Sequence, residues 1–233
     1  GAFGDDPPAY LARQRTLSTV TSMSLLGTLR RRGTREGLDT AVVFADPRYE
    51  VEDRGVGARY RSAHLLPLPA SRAEAETILE LWGAGAVAHL GGAATEARAR
   101  SIPADRDLVH FATHVIVDGR RALDSAIALA APRFGEEDDG LLQGWEVIES
   151  VRLDARLVTL SGCSTAVGEV LPGEGLVGLV RAFHYAGAAA VMASLWPVED
   201  AATAELMRRA YRRLRGGASP AEALRRAQAD LAG

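Results

Sequence analysis

The sequence predicts an α/β fold, a three-layer sandwich in which a mostly parallel central sheet carries helices on both faces. Two observations point there. Short apolar runs alternate with helical segments of about ten to fifteen residues, the pattern of successive βαβ units. The runs are also near-continuously apolar, as strands are when both of their faces are covered. No internal repeat, low-complexity tract or convincing linker after residue 40 breaks the alternation. Residues 1–37 therefore read as a lead-in and helix of the same domain, and 38–233 as its body.

The elements follow in order. Apolar residues at helical spacing from Thr16 to Arg32, closed by Arg30-Arg31-Arg32-Gly33, predict a first helix with a basic last turn and a glycine stop. Thr40 to Phe44 is a β-rich run ended by Asp46-Pro47. Ser71 with Glu74 three residues on has the form of a capping box opening a helix through Trp82. Ala86 to Leu90 reads as a strand, Thr95 to Arg100 as a short helix, and Asp107 to His114 as a strand. Ser125 to Ala130 is one arm of a hairpin, and Leu141 to Val151 a helix. Ala155 to Cys163 is a strand, Gly175 to Tyr185 a helix, Ala188 to Leu195 a strand and Ala201 to Leu214 a helix. Ser219-Pro220 then starts the last helix, serine as cap and proline at its first position.

Composition excludes several function classes. A net charge of −3 gives no field for nucleic acid or an anionic membrane. All 27 basic residues are arginine, which reads as the codon bias of a GC-rich, bacterial genome rather than a binding device. No apolar run approaches the roughly 20 residues of a membrane-spanning helix, and no signal peptide is visible, so a cytoplasmic protein is expected. The chain opens Gly-Ala without methionine and reads as a piece of something longer.

Cys163 is the only cysteine, so it forms no internal disulfide, and no Cys/His cluster has zinc spacing. No metal and no cofactor is expected. Taken alone, one buried cysteine or one histidine at a strand end is structural packing. The pair says more. His114 and Cys163 each fall at the carboxyl end of an apolar strand, where open α/β sheets hold their chemistry, and a nucleophilic thiol needs a base. Small residues, Ser161, Gly162, Ser164 and Thr165, surround the cysteine and leave its backbone N–H free to face a carbonyl. No helix starts directly at Cys163, so the imidazole has to activate the thiol. His110 lies on the same strand face as His114 about 13 Å away, and burial is its expected role.

Two other patterns carry nothing. Gly173 to Gly178 matches the dinucleotide fingerprint letter for letter but stands a dozen residues beyond the strand it should follow. Glu136 to Asp139 lacks the alternating ligand spacing of a calcium loop.

At these residues the chain resembles the CHAT domains of the caspase-like cysteine peptidases. The likeness runs through Leu108 to His114, Leu157 to Cys163, Gly173 to Leu176, Arg181 to Phe183, Ala186 to Ala188, Ser194 to Asp200 and Ala223 to Gln228. Gly162-Cys163-Ser164 and Trp196 to Asp200 are more distantly similar to separase. The resemblance implies a caspase-like sandwich and a cysteine endopeptidase with a His114/Cys163 dyad. It implies an oxyanion hole made by the backbone N–H groups of Cys163 and Val115. It also implies substrate binding at Trp196 and Asp200, the aspartate favouring cleavage after arginine or lysine. The implied partners are a protein or peptide substrate and a regulatory partner or sensor domain. The family continues past the last helix into an edge strand, which this chain is expected to lack. The alternative is an inactive protease-like scaffold that binds a partner, favoured by Val115 where the clan has glycine.

Overall fold

The computed structural model describes residues 15–31, 37–49, 65–131, 138–162, 164–166, 174–195 and 198–232. Its centre is a five-stranded, all-parallel sheet in the order β2-β1-β3-β7-β9, formed by β1 (Ala41–Pro47), β2 (Ala86–Gly91), β3 (Leu108–Ala112), β7 (Leu157–Leu160) and β9 (Val191–Ala193). A second, mixed sheet, β6-β5-β4-β8, is built from β4 (Val115–Val117), β5 (Ala126–Ala128), β6 (Leu141–Gln143) and β8 (Ser164–Ala166). The helices are α1 (Met23–Arg31), α2 (Ser71–Trp82), α3 (Glu96–Arg100), α4 (Gly144–Ser150), α5 (Glu174–Ala186), α6 (Asp200–Arg215) and α7 (Pro220–Ala232).

Side-chain alternation along the strands explains the layers. Val42 and Phe44 of β1, Val109 and Phe111 of β3, and Val158 and Leu160 of β7 face one core, closed by Val147 and Val151 and by Leu179 and Phe183 of α5. Phe111 sits at the middle of that core, with ring centroids 5.1 Å from Phe44 and 5.8 Å from Phe183. The intervening residues Ala41, Val43, Leu108, Ala112 and Leu157 face a second core closed by Ile78 and Trp82 of α2, Met207, Tyr211 and Leu214 of α6, and Ala223 of α7. The sandwich and its mostly parallel sheet stand as expected.

Several boundaries differ from the sequence reading. The first helix begins at Met23, where Ser22 Oγ accepts the Leu25 N–H; residues 16–22 are not helical. Leu141 to Gln143 form β6, and the helix starts only at Gly144, because Gln143 and Glu146 close a capping box there. Ser71 is the first residue of α2, not its cap. Ala70 occupies the cap position without a side-chain bond, and Glu74 turns inward instead of closing a box. The cap of α6 is Glu199, whose carboxylate accepts the Ala202 N–H. The last helix begins at Pro220 after Ser219, as its sequence indicates.

The two apolar strands leading to the candidate site do not end where the sequence suggests. After β3 the chain bends at Thr113 and His114 and resumes as β4; after β7 it bends and resumes as β8. Phe111 pairs with Leu160 before the bend and Val115 with Ser164 after it, so the offset between the two chains is the same on both sides. Two adjacent strands therefore bend together and pass from one sheet into the other.

Candidate active site

His114 lies in that bend, and only 6% of it is exposed. Its ring Nε2 is 2.8 Å from the carbonyl oxygen of Leu66. A carbonyl can only accept, so Nε2 carries the proton and Nδ1 the lone pair. Nδ1 is buried and has no hydrogen-bond partner among the described residues. Burial lowers the imidazole's pKa below the ordinary value, while the Leu66 bond and the charge of Asp200 pull it the other way. The ring is thus neutral at physiological pH, fixed at one nitrogen and basic at the other. The Tyr49 hydroxyl accepts the backbone N–H of His114 at 3.2 Å, and the two rings lie 5.3 Å apart.

Cys163 lies outside the described residues, as does Trp196. The residues on either side of the cysteine are described. Gly162 runs so close to the other strand that a Cβ built on it would overlap the Thr113 carbonyl, and the His114 Cα would be 3.4 Å away. Only glycine permits that approach. Ser164 is paired with Val115.

Val115 opens β4 and is 2% exposed. The His114 carbonyl accepts the Ala128 N–H of β5 at 2.8 Å. Within one trans peptide the C=O and N–H point in opposite directions, so the Val115 N–H points away from β5, toward β8. That is the side on which Ser164, the residue after Cys163, lies.

Asp200 is the first residue of α6, and its Oδ2 accepts the backbone N–H of Ala70 at 2.8 Å. With Leu68, Ser71, Glu74, Ala112, Ser161, Gly162 and Thr203 it lines a cavity of about 10 Å³, room for a single water. Beneath it Glu74 Oε2 accepts the Ser161 hydroxyl at 2.7 Å and lies 3.1 Å from His110 Nε2, off the line of a good hydrogen bond. The Tyr211 hydroxyl, 2.5 Å from His110 Nδ1, completes a buried chain across α6, β3, α2 and the end of β7. His110 is fully buried, in keeping with a structural role.

Sequence reasoning named no orienting partner for the imidazole; it gave Glu74 only a capping role and assigned nothing to Leu66, Ala70 or Tyr49. Any residue can offer a carbonyl, so no residue-type signal marks Leu66. The Gly173–Gly178 pattern has a packing explanation at its described positions. Cβ atoms on Gly175 would crowd Val117, Ser125 and Asp118, and on Gly178 would overlap Ala122, so α5 needs glycine to sit against β4 and the turn after it. Among the described residues no group of three or more His, Cys, Asp or Glu could hold a metal ion, and no helix is long and apolar enough to cross a membrane.

The geometry defines a class: an α/β sandwich with a neutral, single-ended histidine at the carboxyl ends of two adjacent central strands. Residues 2–233 match the CHAT domain. The chain belongs to that family, a caspase-like, peptidase-related domain. It is similar to tetratricopeptide repeat protein 28 of Mus musculus, 30% identical over 199 residues that make up 71% of this chain and 8% of that protein. The Homo sapiens protein of the same name is 29% identical over 188 residues, 68% of this chain and 7% of its own length. The chain thus spans less than a tenth of either relative.

Proposed function

We propose that this domain is a cysteine endopeptidase in which His114 activates Cys163. One observation carries the reading most strongly. His114 is anchored through Nε2–H to the Leu66 carbonyl and keeps a buried Nδ1 lone pair with no partner among the described residues. A buried lone pair left without a partner is what a general base requires. The matched offset of the two bent strands supports a thiol at position 163 beside that nitrogen.

In this reading Nδ1 takes the thiol proton and the thiolate attacks a peptide carbonyl. The backbone N–H of Cys163 holds the oxyanion. The imidazolium returns its proton to the leaving amine as the C–N bond breaks. Water, deprotonated by the same nitrogen, then hydrolyses the thioester and releases the thiol. Asp200 and Trp196 bind the substrate, the Asp200 carboxylate selecting arginine or lysine before the scissile bond. A separate partner or sensor module controls access; helical repeats are the candidate, given the names of the two relatives.

The test is labelling by a peptidyl electrophile ending in arginine, together with a peptide-library digest. Stoichiometric labelling at Cys163, abolished in Cys163→Ala and in His114→Ala, is expected. A wild-type domain that labels no faster than His114→Ala, and cleaves no peptide, leaves the inactive partner-binding scaffold as the function.

A further inference from the structure

The segment 65–70, Leu65-Leu66-Pro67-Leu68-Pro69-Ala70, touches the site at both ends. Near its start the Leu66 carbonyl holds His114 Nε2 at 2.8 Å. At its end the Ala70 N–H is held by Asp200 Oδ2 at 2.8 Å. Between them the chain has two prolines, which fix their own φ and bias Leu66 and Leu68 toward extended backbone, stiffening the segment. The turn after Leu68 is clamped as well. Ser71 Oγ donates to the Leu68 carbonyl at 2.6 Å and accepts the Asp46 N–H at 2.8 Å. A displacement at Ala70 is therefore passed along a stiff strap and not absorbed within it.

Ala70 is also the cap position of α2 and makes no side-chain cap bond of its own. Asp200, reaching over from α6, accepts the N–H of the cap residue itself, the donor that a capping-box Glu74 would have taken, and sets a negative charge at the positive end of α2. We propose that Asp200 is a positioning residue for His114: its carboxylate holds Ala70, and the two-proline strap carries that hold to the Leu66 carbonyl, which fixes the imidazole. The inference rests on the proposed function only in treating His114 as the base. Ala70 engages Oδ2, while Oδ1 has no hydrogen bond among the described residues and is the oxygen left for a cationic side chain. Recognition of that cation and alignment of the base then share one carboxylate.

The test reads the ring directly. In histidine-labelled protein the His114 Nε2–H gives a proton–nitrogen signal identified by its loss in His114→Ala. Asp200→Ala is expected to speed solvent exchange of that proton by about tenfold, the worth of one charge-assisted hydrogen bond. Asp200→Asn keeps an acceptor for Ala70 and is expected to restore most of the protection while losing selectivity for arginine. Softening the strap with Pro67→Gly and Pro69→Gly leaves Asp200 in place and is expected to speed exchange several-fold, which keeps the test decisive if Asp200→Ala does not fold. An Nε2–H equally protected in Asp200→Ala, or unmoved in the doubly softened strap, overturns the proposal. Iodoacetamide alkylation of Cys163 separates the two readings, because it needs no substrate side chain. A wild-type rate no faster than that of His114→Ala sinks the peptidase reading, and the ring signal still decides the strap.

Discussion

Replacing Glu96 by glutamine should make the protein more stable at pH 8 and less dependent on pH. Glu96 and Glu146 are a buried pair of carboxylates, 2% and 6% exposed, in α3 and α4. Glu96 Oε2 accepts the N–H groups of Asp139 and Gly140, and Glu146 Oε2 accepts that of Gln143. Arg100 reaches toward both at 3.5 Å and toward Asp138 at 3.6 Å. One guanidinium does not offset this much carboxylate. Burial first, and then the charges of Glu146, Asp138 and Asp139, raise Glu96 from 4.5 to about 8. Burial raises Glu146 as well, in the same direction.

A carboxyl group whose pKa is raised on folding binds its proton more tightly in the folded state. Stability is then fully present below pH 4.5 and falls as pH rises toward 8. At about 1.4 kcal/mol per unit, a rise of about 3.5 units sets a ceiling of about 5 kcal/mol. Partial relief by Arg100 and by the shared proton leaves an expected loss of about 2 kcal/mol between pH 5 and pH 8. Glutamine cannot ionise, and its carbonyl still accepts from Gly140. Urea unfolding at pH 5, 6, 7 and 8 gives the comparison. The reasoning is refuted if wild type and Glu96→Gln differ by the same amount at every pH.

Other outcomes follow from the site and the core. Gly162→Ala drives a Cβ into the Thr113 carbonyl and should separate the two strands, abolishing peptide cleavage and lowering stability by about 3 kcal/mol or more, read by activity and by urea midpoint together. Because burial holds His114 below its ordinary value of 6.5, the acid limb of kcat/KM should lie below that value; a limb above 7 contradicts the assignment. Phe111→Ala removes the ring between Phe44 and Phe183 and should cost about 3–5 kcal/mol in unfolding experiments. Ser161→Ala leaves the Glu74 carboxylate without its 2.7 Å donor and should cost about 1–3 kcal/mol, most of it recovered by adding Glu74→Gln.

Much of the layer order was legible because each buried strand is apolar on both faces, which calls for a layer of helices on either side of the sheet. Val109 and Phe111 face one core, Leu108 and Ala112 the other, and helices supply the rest of each layer. The failures share a cause. Leu141 to Gln143 look like the start of a helix because a three-residue strand has too few positions to show a period. Ser71 and Glu74 have the letters of a capping box, but the Ser161 hydroxyl, 87 residues away, takes the carboxylate. The site divides in the same way. His114 could be picked out by type and place, whereas the Leu66 carbonyl and the Ala70 N–H belong to the backbone and leave no residue-type signal. The bends after β3 and β7 were equally hidden, since a short polar or small-residue break in an apolar run reads as its end.

Those paired bends constrain how the gene can change. His114 and the residues flanking position 163 stay in step because the ladder before the bend and the ladder after it share one offset. A residue inserted or deleted between Phe111 and Val115 would need a matching change between Leu160 and Ser164, or the histidine would slide one place along the neighbouring strand. The loops between the two strands are free of that bookkeeping. Length variation in this lineage is therefore expected in the loops between residues 118 and 156, and two short windows, 111–115 and 160–164, should keep their length.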